Sequence, residues 1–178
     1  MEKFISGINI NLRDVKVSDA EFILALRTNE DKNKFLHKTD NDLNKQIDYI
    51  NAYKEKINEW YFLIETKDKK QIGTIRIYDV IGDDFCWGSW LITNEALITA
   101  ALESALLIYE YAFYTLGFNR VHFDVRKGNE KVAAFHKSFG AKIMKESDTD
   151  YFFTYSKEDY EFIRPKYCKF LKYCVNSK

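Results

Sequence analysis

Residues 120–126 read Arg-Val-His-Phe-Asp-Val-Arg, so Val121, Phe123 and Val125 alternate with Arg120, His122, Asp124 and Arg126. In an extended strand that alternation places three apolar groups on one face and four polar groups on the other. A strand inside a sheet normally carries apolar side chains on both covered faces, so this polar face is expected to look into a cleft. There His122 or Asp124 can take a proton from a bound acid such as an ammonium group, directly or through a water. Ion pairing with Arg120 and Arg126 along an exposed strand edge explains the same letters. Residues 84–117 suit a different chemistry. A β-rich run at 85–92 crosses a polar turn, Thr93-Asn94-Glu95, into a helix pattern broken by charge only at Glu103 and Glu110. The start of such a helix offers backbone N–H groups and a positive end, where an anion such as a pyrophosphate can sit.

Arg76 and Tyr78 share one face of a predicted strand over 71–80, and simple alternation puts Trp87 and Trp90 on opposite faces of the strand 85–92. An arginine among such rings suits a phosphate-bearing, ring-containing ligand. Aromatic packing beneath a snorkelling arginine also accounts for them. His37 and Asp40, in the irregular polar segment 28–40, either line a ligand pocket or belong to the loop surface. Cys86 has no histidine placed by sequence to activate it and reads as a small buried hydrophobe. Cys168 and Cys174 lack the paired spacing and neighbouring histidines of a zinc site, so no metal is expected. The basic run 164–172 could meet an acidic partner, though such runs are more often a solvated helix face.

The elements that must position these groups follow from periodicity. Ile8, Ile10 and Leu12 alternate with polar residues, predicting a first half-buried strand over 8–14. Ser18 with Glu21 three residues on reads as a capping box opening a helix, and a second helix is expected over 43–57. Strands at 60–65, 71–80 and 85–92 form an antiparallel meander. The apolar helix that follows, roughly 97–116, must be buried on most sides and stops at Gly117. Strand 120–126, a short helix 130–139 ended by Gly140, and a hairpin 141–155 turning at Ser147-Asp148-Thr149-Asp150 come next. A last helix starts at Lys157 and is disturbed by Pro165. The order β-α-α-β-β-β-α-β-α-β-β predicts an α/β fold: a mixed, mostly antiparallel sheet with helices on both faces.

Composition narrows the classes. A chain of 178 residues with one proline, seven glycines and no repeat or linker reads as a single domain, 1–178, with a C-terminal helix and tail from about 157. Lys+Arg and Asp+Glu are both 27, which argues against nucleic acid as a partner. Three cysteines are too few and too odd for a disulfide scaffold and fit a reducing compartment. No long apolar segment suggests a signal peptide or membrane span, so a cytoplasmic protein is expected.

The element order over about 8–160, with a buried helix, a strand, an asparagine-led helix and a final hairpin, resembles the GCN5-related N-acetyltransferase (GNAT) family. The most specific stretch is Asn129-Glu130-Lys131-Val132-Ala133-Ala134-Phe135-His136-Lys137-Ser138-Phe139-Gly140-Ala141, with Gln71-Ile72-Gly73-Thr74-Ile75 as a second. The Tyr111-Ala112-Phe113 to Leu116-Gly117-Phe118 run is similar to the subgroup of ribosomal-protein and amino-sugar acetyltransferases. The resemblance implies acetyl-CoA as co-substrate and a small primary amine as acceptor, such as an amino sugar or nucleotide-linked amino sugar. It assigns His136 to the position of a family tyrosine that protonates the departing thiolate. An imidazole near its ordinary pKa would serve there as a general acid. Asn129 would bond the pantetheine arm, or serve as a helix N-cap, or both. Leu91 and Ile92 would flank the acyl donor, and Leu97, Ile98, Thr99, Ala100 and Ala101 fall on the pyrophosphate loop. That loop departs from the family pattern, because Ala96 replaces its basic residue and Thr99 its first glycine. Backbone N–H groups remain for phosphate and the Thr99 hydroxyl is available as a cap, but a β-branched side chain there weakens close approach. Two alternatives stay open: a non-catalytic module of this fold with a degenerate CoA site, and a protein N-terminal acetyltransferase. Homodimerisation through the aromatic-rich hairpin is also left open.

Overall fold

The computed structural model describes residues 3–29, 34–35 and 39–172. Among these residues, eight strands form one sheet in the order β1-β2-β3-β4-β5-β6-β8-β7. The first two, β1 (Phe4–Ser6) and β2 (Ile10–Asp14), are followed by helices α1 (Ala20–Thr28) and α2 (Leu43–Lys54). The strands β3 (Trp60–Thr66), β4 (Gln71–Ile81) and β5 (Asp84–Ile92) make the expected meander. Helix α3 (Ala100–Glu110), continued by a wider π turn at Tyr111–Thr115, crosses to β6 (Arg120–Arg126). Helix α4 (Glu130–Ser138), the hairpin β7 (Lys142–Glu146) and β8 (Asp150–Ser156), and α5 (Lys157–Ile163) complete the chain, with Pro165 in the 3-10 turn after α5. Every pairing is antiparallel except β5 with β6, the pair joined by the crossover helix α3.

Alternation along β3 shows how the faces are divided. Phe62 and Ile64 join the larger core with α3, α4 and α5, whereas Tyr61 and Leu63 join a second core under α1 and α2. By the same parity Val121, Phe123 and Val125 of β6 pack on the α3/α4 face, which turns His122, Asp124 and Arg126 toward the α1/α2 face. Glu103 of α3 is fully buried and accepts from the backbone N–H of Asn9 (2.8 Å), the Asn9 side chain (3.0 Å) and the Ile10 N–H (3.4 Å). Gly7 makes room for it, since a Cβ there would stand 2.3 Å from the Glu103 Oε1.

Several expectations need correction. Strand β1 precedes the first strand that periodicity predicts, since its three residues are too short to show a period. The capping box at Ser18 and Glu21 does not form. Asp19, buried and held bidentately by Arg13 at 2.8 Å, accepts from the Lys16 N–H at 2.7 Å in a 3-10 turn that precedes α1. Helix α3 begins three residues later than expected, leaving Leu97 54% and Ile98 100% exposed. Cys86 is a free buried thiol, but Cys168 is disulfide-bonded, against the expectation of reduced thiols throughout. Cys174 and His37 lie outside the described residues. Among the described residues no helix is long and apolar enough to cross a membrane, and no cluster of His, Cys, Asp and Glu could hold a metal.

Candidate active site

The parallel ladder between β5 and β6 holds for only three rungs, Asp84 with Arg120, Phe85 with Val121 and Cys86 with His122. Beyond Trp87 and Phe123 the two strands part and a cleft of about 440 Å³ opens through the sheet. Arg27, Phe35, Tyr78, Asp124 and Arg126 line it together with Leu91, Ile92, Asn129, Val132 and His136. The first group comes from the α1/α2 side or from strand faces turned that way. Asn129, Val132 and His136 come from α4 on the opposite side. Side chains from both faces of the sheet therefore meet in the cleft, an arrangement suited to a site that joins two substrates.

A β-bulge shapes the β5 wall. The register with β4 shifts between Thr74 opposite Leu91 and Arg76 opposite Gly88, so Ile75 faces two residues, Ser89 and Trp90. Ser89 adopts φ 47°, and its carbonyl accepts from the Thr74 hydroxyl at 2.9 Å. One extra residue reverses the parity of all that follow. Trp90 thus lands on the same side as Trp87, their rings 5.3 Å apart, and not on the opposite face that alternation predicts. Both indoles serve the α3/α4 face, Trp87 donating to the Tyr109 hydroxyl (3.3 Å) and Trp90 to the Ser104 hydroxyl (3.1 Å). They line the cleft but do not sit beside Arg76.

Arg76 itself is absent from the cleft wall. It bonds to Glu59 and to the Tyr49 hydroxyl and stacks on Tyr78, 4.9 Å from the ring centroid. Tyr78 does reach the cleft. Its hydroxyl lies over Gly88, where an added Cβ would stand 2.9 Å away, and burial keeps it protonated by raising its pKa. Burial likewise pushes the neighbouring Cys86 thiol up to about 12, which removes it as a nucleophile near neutral pH.

The three acid–base candidates separate. Asp124 lines the cleft on the α1/α2 face, exposed and with no cation bonded to it among the described residues. His122 does not line it. Its Nδ1 meets Asp84 of β5 at 2.9 Å and its Nε2 meets Asp79 of β4 at 3.1 Å, so it fastens β6 to the adjoining ends of β4 and β5. Desolvation lowers the His122 pKa, but the two carboxylates outweigh it and hold the imidazole above its ordinary value. His136 lines the cleft at 4% exposure, its ring 4.1 Å from Phe123 and 5.3 Å from Trp87. Burial in that aromatic nest pushes its pKa down to about 3, and its Nδ1 has no partner. The expectation of an imidazole near its ordinary pKa is therefore wrong, and His136 is neutral at physiological pH.

Asn129 opens α4, but its side chain makes no capping bond, and it lines the cleft. The side-chain N-cap expected of it is not used. Thr99 likewise stands before α3 without capping it through its hydroxyl. Ala100 is buried, and its N–H is taken by the Leu97 carbonyl at 2.8 Å. Ala101 is half-buried. By helix geometry the N–H groups of Ala101 and Leu102 have no partner four residues back. Asp40 is tied at the surface to Lys45 at 2.5 Å, outside the cleft wall. Sequence reasoning missed Arg27 and Phe35, since Arg27 looks like an ordinary cation in the last turn of an amphipathic helix.

The family described as "Acetyltransferase (GNAT) domain" matches residues 9–142. A solved structure described as "Apo FdhC- a nucleotide-linked sugar GNAT" is 39% identical, covers 96% of this chain and 99% of its own, and superposes with a TM-score of 0.87. The spermidine N-acetyltransferase of Vibrio cholerae, solved with CoA and spermine, is 16% identical over 86% of this chain and 98% of its own, with a TM-score of 0.77. A GCN5-related N-acetyltransferase from Brucella melitensis is 14% identical over 94% of this chain and 84% of its own, also at 0.77. No curated protein matches the chain. A family match over most of the chain, a relative of 39% identity along nearly its full length, and a sheet split where two substrates can meet together place this protein in the GNAT family of acetyltransferases.

Proposed function

We propose that the protein moves an acetyl group from acetyl-CoA to the primary amine of a nucleotide-linked amino sugar. The observation that carries the choice of acceptor is the 39% identity, over 96% of the chain, to a nucleotide-linked sugar GNAT. The spermidine enzymes, at 16% identity or less, share only the fold.

The residues on the α3/α4 side of the cleft fit the acyl donor. Asn129, spared from capping duty, reaches the cleft as a hydrogen-bonding group for an amide-bearing arm. The start of α3 offers backbone N–H groups to phosphate without help from the side chains at 96 and 99. Acetyl-CoA supplies a thioester already activated toward an amine, so no covalent enzyme intermediate is needed, and the raised pKa of Cys86 agrees with that. The bulged Ser89–Trp90 backbone, out of step with β4, provides an N–H for an acyl carbonyl. Asp124 takes the proton from the acceptor ammonium. His136, neutral as it stands, steadies a departing thiolate with an imidazole N–H and not as a ready imidazolium. Positioning of two substrates on opposite sides of the split carries most of the rate.

Calorimetric titration with acetyl-CoA, followed by acetyl transfer to a panel of nucleotide-linked amino sugars, free amino sugars, spermidine and peptides, tests this. Asn129→Ala should weaken acetyl-CoA binding by roughly 2- to 10-fold, one hydrogen bond's worth. Asp124→Asn should lower kcat by about 100-fold or more while acetyl-CoA binds as before. Absence of acetyl-CoA binding, or transfer confined to spermidine or peptides, would sink the proposal.

A further inference from the structure

The charges that line the cleft are not all neutralised. Arg126 pairs with Asp150 at 3.0 Å, and Arg76, outside the cleft wall, is committed to Glu59. Arg27 is different. Among the described residues its side chain makes one hydrogen bond, from Nε to the Thr39 hydroxyl at 2.9 Å, and its two Nη groups meet no carboxylate there. Asp124, on the same α1/α2 face, has no cation bonded to it among the described residues. Among the described residues, the α1/α2 side of the split therefore presents one positive group, Arg27, and one negative group, Asp124, that no opposite charge neutralises.

A partly enclosed site with two such charges selects a ligand that supplies the opposite of each, because leaving either unmatched costs desolvation with no return. A polyamine satisfies Asp124 but brings a cation toward Arg27. A free amino sugar satisfies Asp124 and leaves Arg27 alone. A sugar carrying an ammonium on its ring and a nucleoside diphosphate at its anomeric carbon satisfies both, and a planar guanidinium with its Nη edge open is suited to bidentate phosphate contact. We infer that Arg27 and Asp124 together recognise a zwitterionic acceptor, Arg27 receiving the diphosphate and Asp124 the ammonium of a nucleotide-linked amino sugar. This inference rests on the acetyl-transfer reading above and assigns Arg27 as a specificity-determining residue for it.

The test uses the nucleoside diphosphates themselves, since the base and the sugar are not identified by the charges. UDP, dTDP, GDP and CDP are titrated separately into the full chain in saturating CoA, so that the donor's own nucleotide site is filled. Arg27→Ala, Arg27→Gln and Arg27→Lys are compared with wild type, with acetyl-CoA affinity and thermal unfolding as controls. At least one diphosphate should bind wild type. Arg27→Ala and Arg27→Gln should weaken it about 10- to 100-fold, as expected for a lost charge-assisted pair, and Arg27→Lys less. Acetyl-CoA affinity should stay within about twofold in all three, because Arg27 belongs to the other face. Asp124→Asn should leave diphosphate affinity within about twofold. Wild type that binds acetyl-CoA but none of the diphosphates overturns the inference and leaves acetyl transfer standing, and so does an unchanged affinity in Arg27→Ala or Arg27→Gln. Loss of acetyl-CoA binding in wild type itself would instead bring down the transfer reading, and this inference with it.

Discussion

Burial among Trp87, Phe123 and Phe153 pushes the His136 imidazole down to about 3, while Asp84 and Asp79 hold His122 above its ordinary value. The two histidines therefore link stability to pH in opposite senses. For His136 the unfolded chain binds the extra proton, so its contribution is complete above about pH 6.5 and is lost as pH falls toward 3, by up to about 1.4 kcal/mol per unit. His136→Gln should flatten the acid limb of a Tm-against-pH curve between about pH 6.5 and 4. For His122 the folded state binds the proton more tightly, so its contribution is present below about pH 6.5 and lost as pH rises through its raised pKa. His122→Gln should flatten the neutral-to-alkaline limb and leave the acid limb alone. Equal slopes for wild type and variant on the limb concerned would contradict either assignment. In the sequence the two imidazoles were both candidate acid–base groups. Only the packing around each shows that one is dry and neutral and the other clamped between carboxylates.

Helix α3 and the β5 bulge decide the geometry of the split at the scale of elements. Glu103, which in sequence merely interrupts an apolar helix, is the buried tie between α3 and the β1–β2 turn, with three donors on its carboxylate. Glu103→Ala would leave buried N–H groups unpaired and should cost about 3 kcal/mol or more, read as a lower urea midpoint, and Glu103→Gln should cost less. The bulge makes a separate demand. Ser89 holds φ 47°, a conformation that glycine adopts freely and a β-branched residue resists. Ser89→Gly should retain or slightly raise stability, whereas Ser89→Val should lose roughly 1–3 kcal/mol and, by disturbing the bulge, kcat as well. Equal stability of the two variants would mean that the bulge tolerates any residue. Nothing in Phe85 to Ile92 marks a bulge, so alternation assigned Trp90 to the wrong face.

Across the whole molecule, the proposed reaction assigns the acyl donor to the side of the split sheet built by α3 and α4 and the acceptor to the side built by α1 and the polar faces of β4 and β6. Substitutions on one side should then act on one substrate. Gly88→Ala would press a methyl group against the Tyr78 hydroxyl, 2.9 Å away. It should raise KM for the acceptor several-fold while the acetyl-CoA affinity, measured by titration, changes little. A parallel loss of both affinities would show that the two sides are not independent.

The mixed sheet, the buried crossover helix, the asparagine-led helix and the stops at Gly117 and Gly140 could all be read from the chain, because periodicity and turn chemistry are local. Both glycines do take positive φ, 81° and 95°. The polar face of β6 was equally legible, and with it the candidacy of Asp124. Which of its polar groups meets the cleft was not legible, because His122 and Asp124 have the same parity and differ only in whether β5 is still paired beside them. Arg27 became visible only when α1 was seen packed over the split. A charge acquires meaning from what neutralises it, and that depends on segments far apart in the chain.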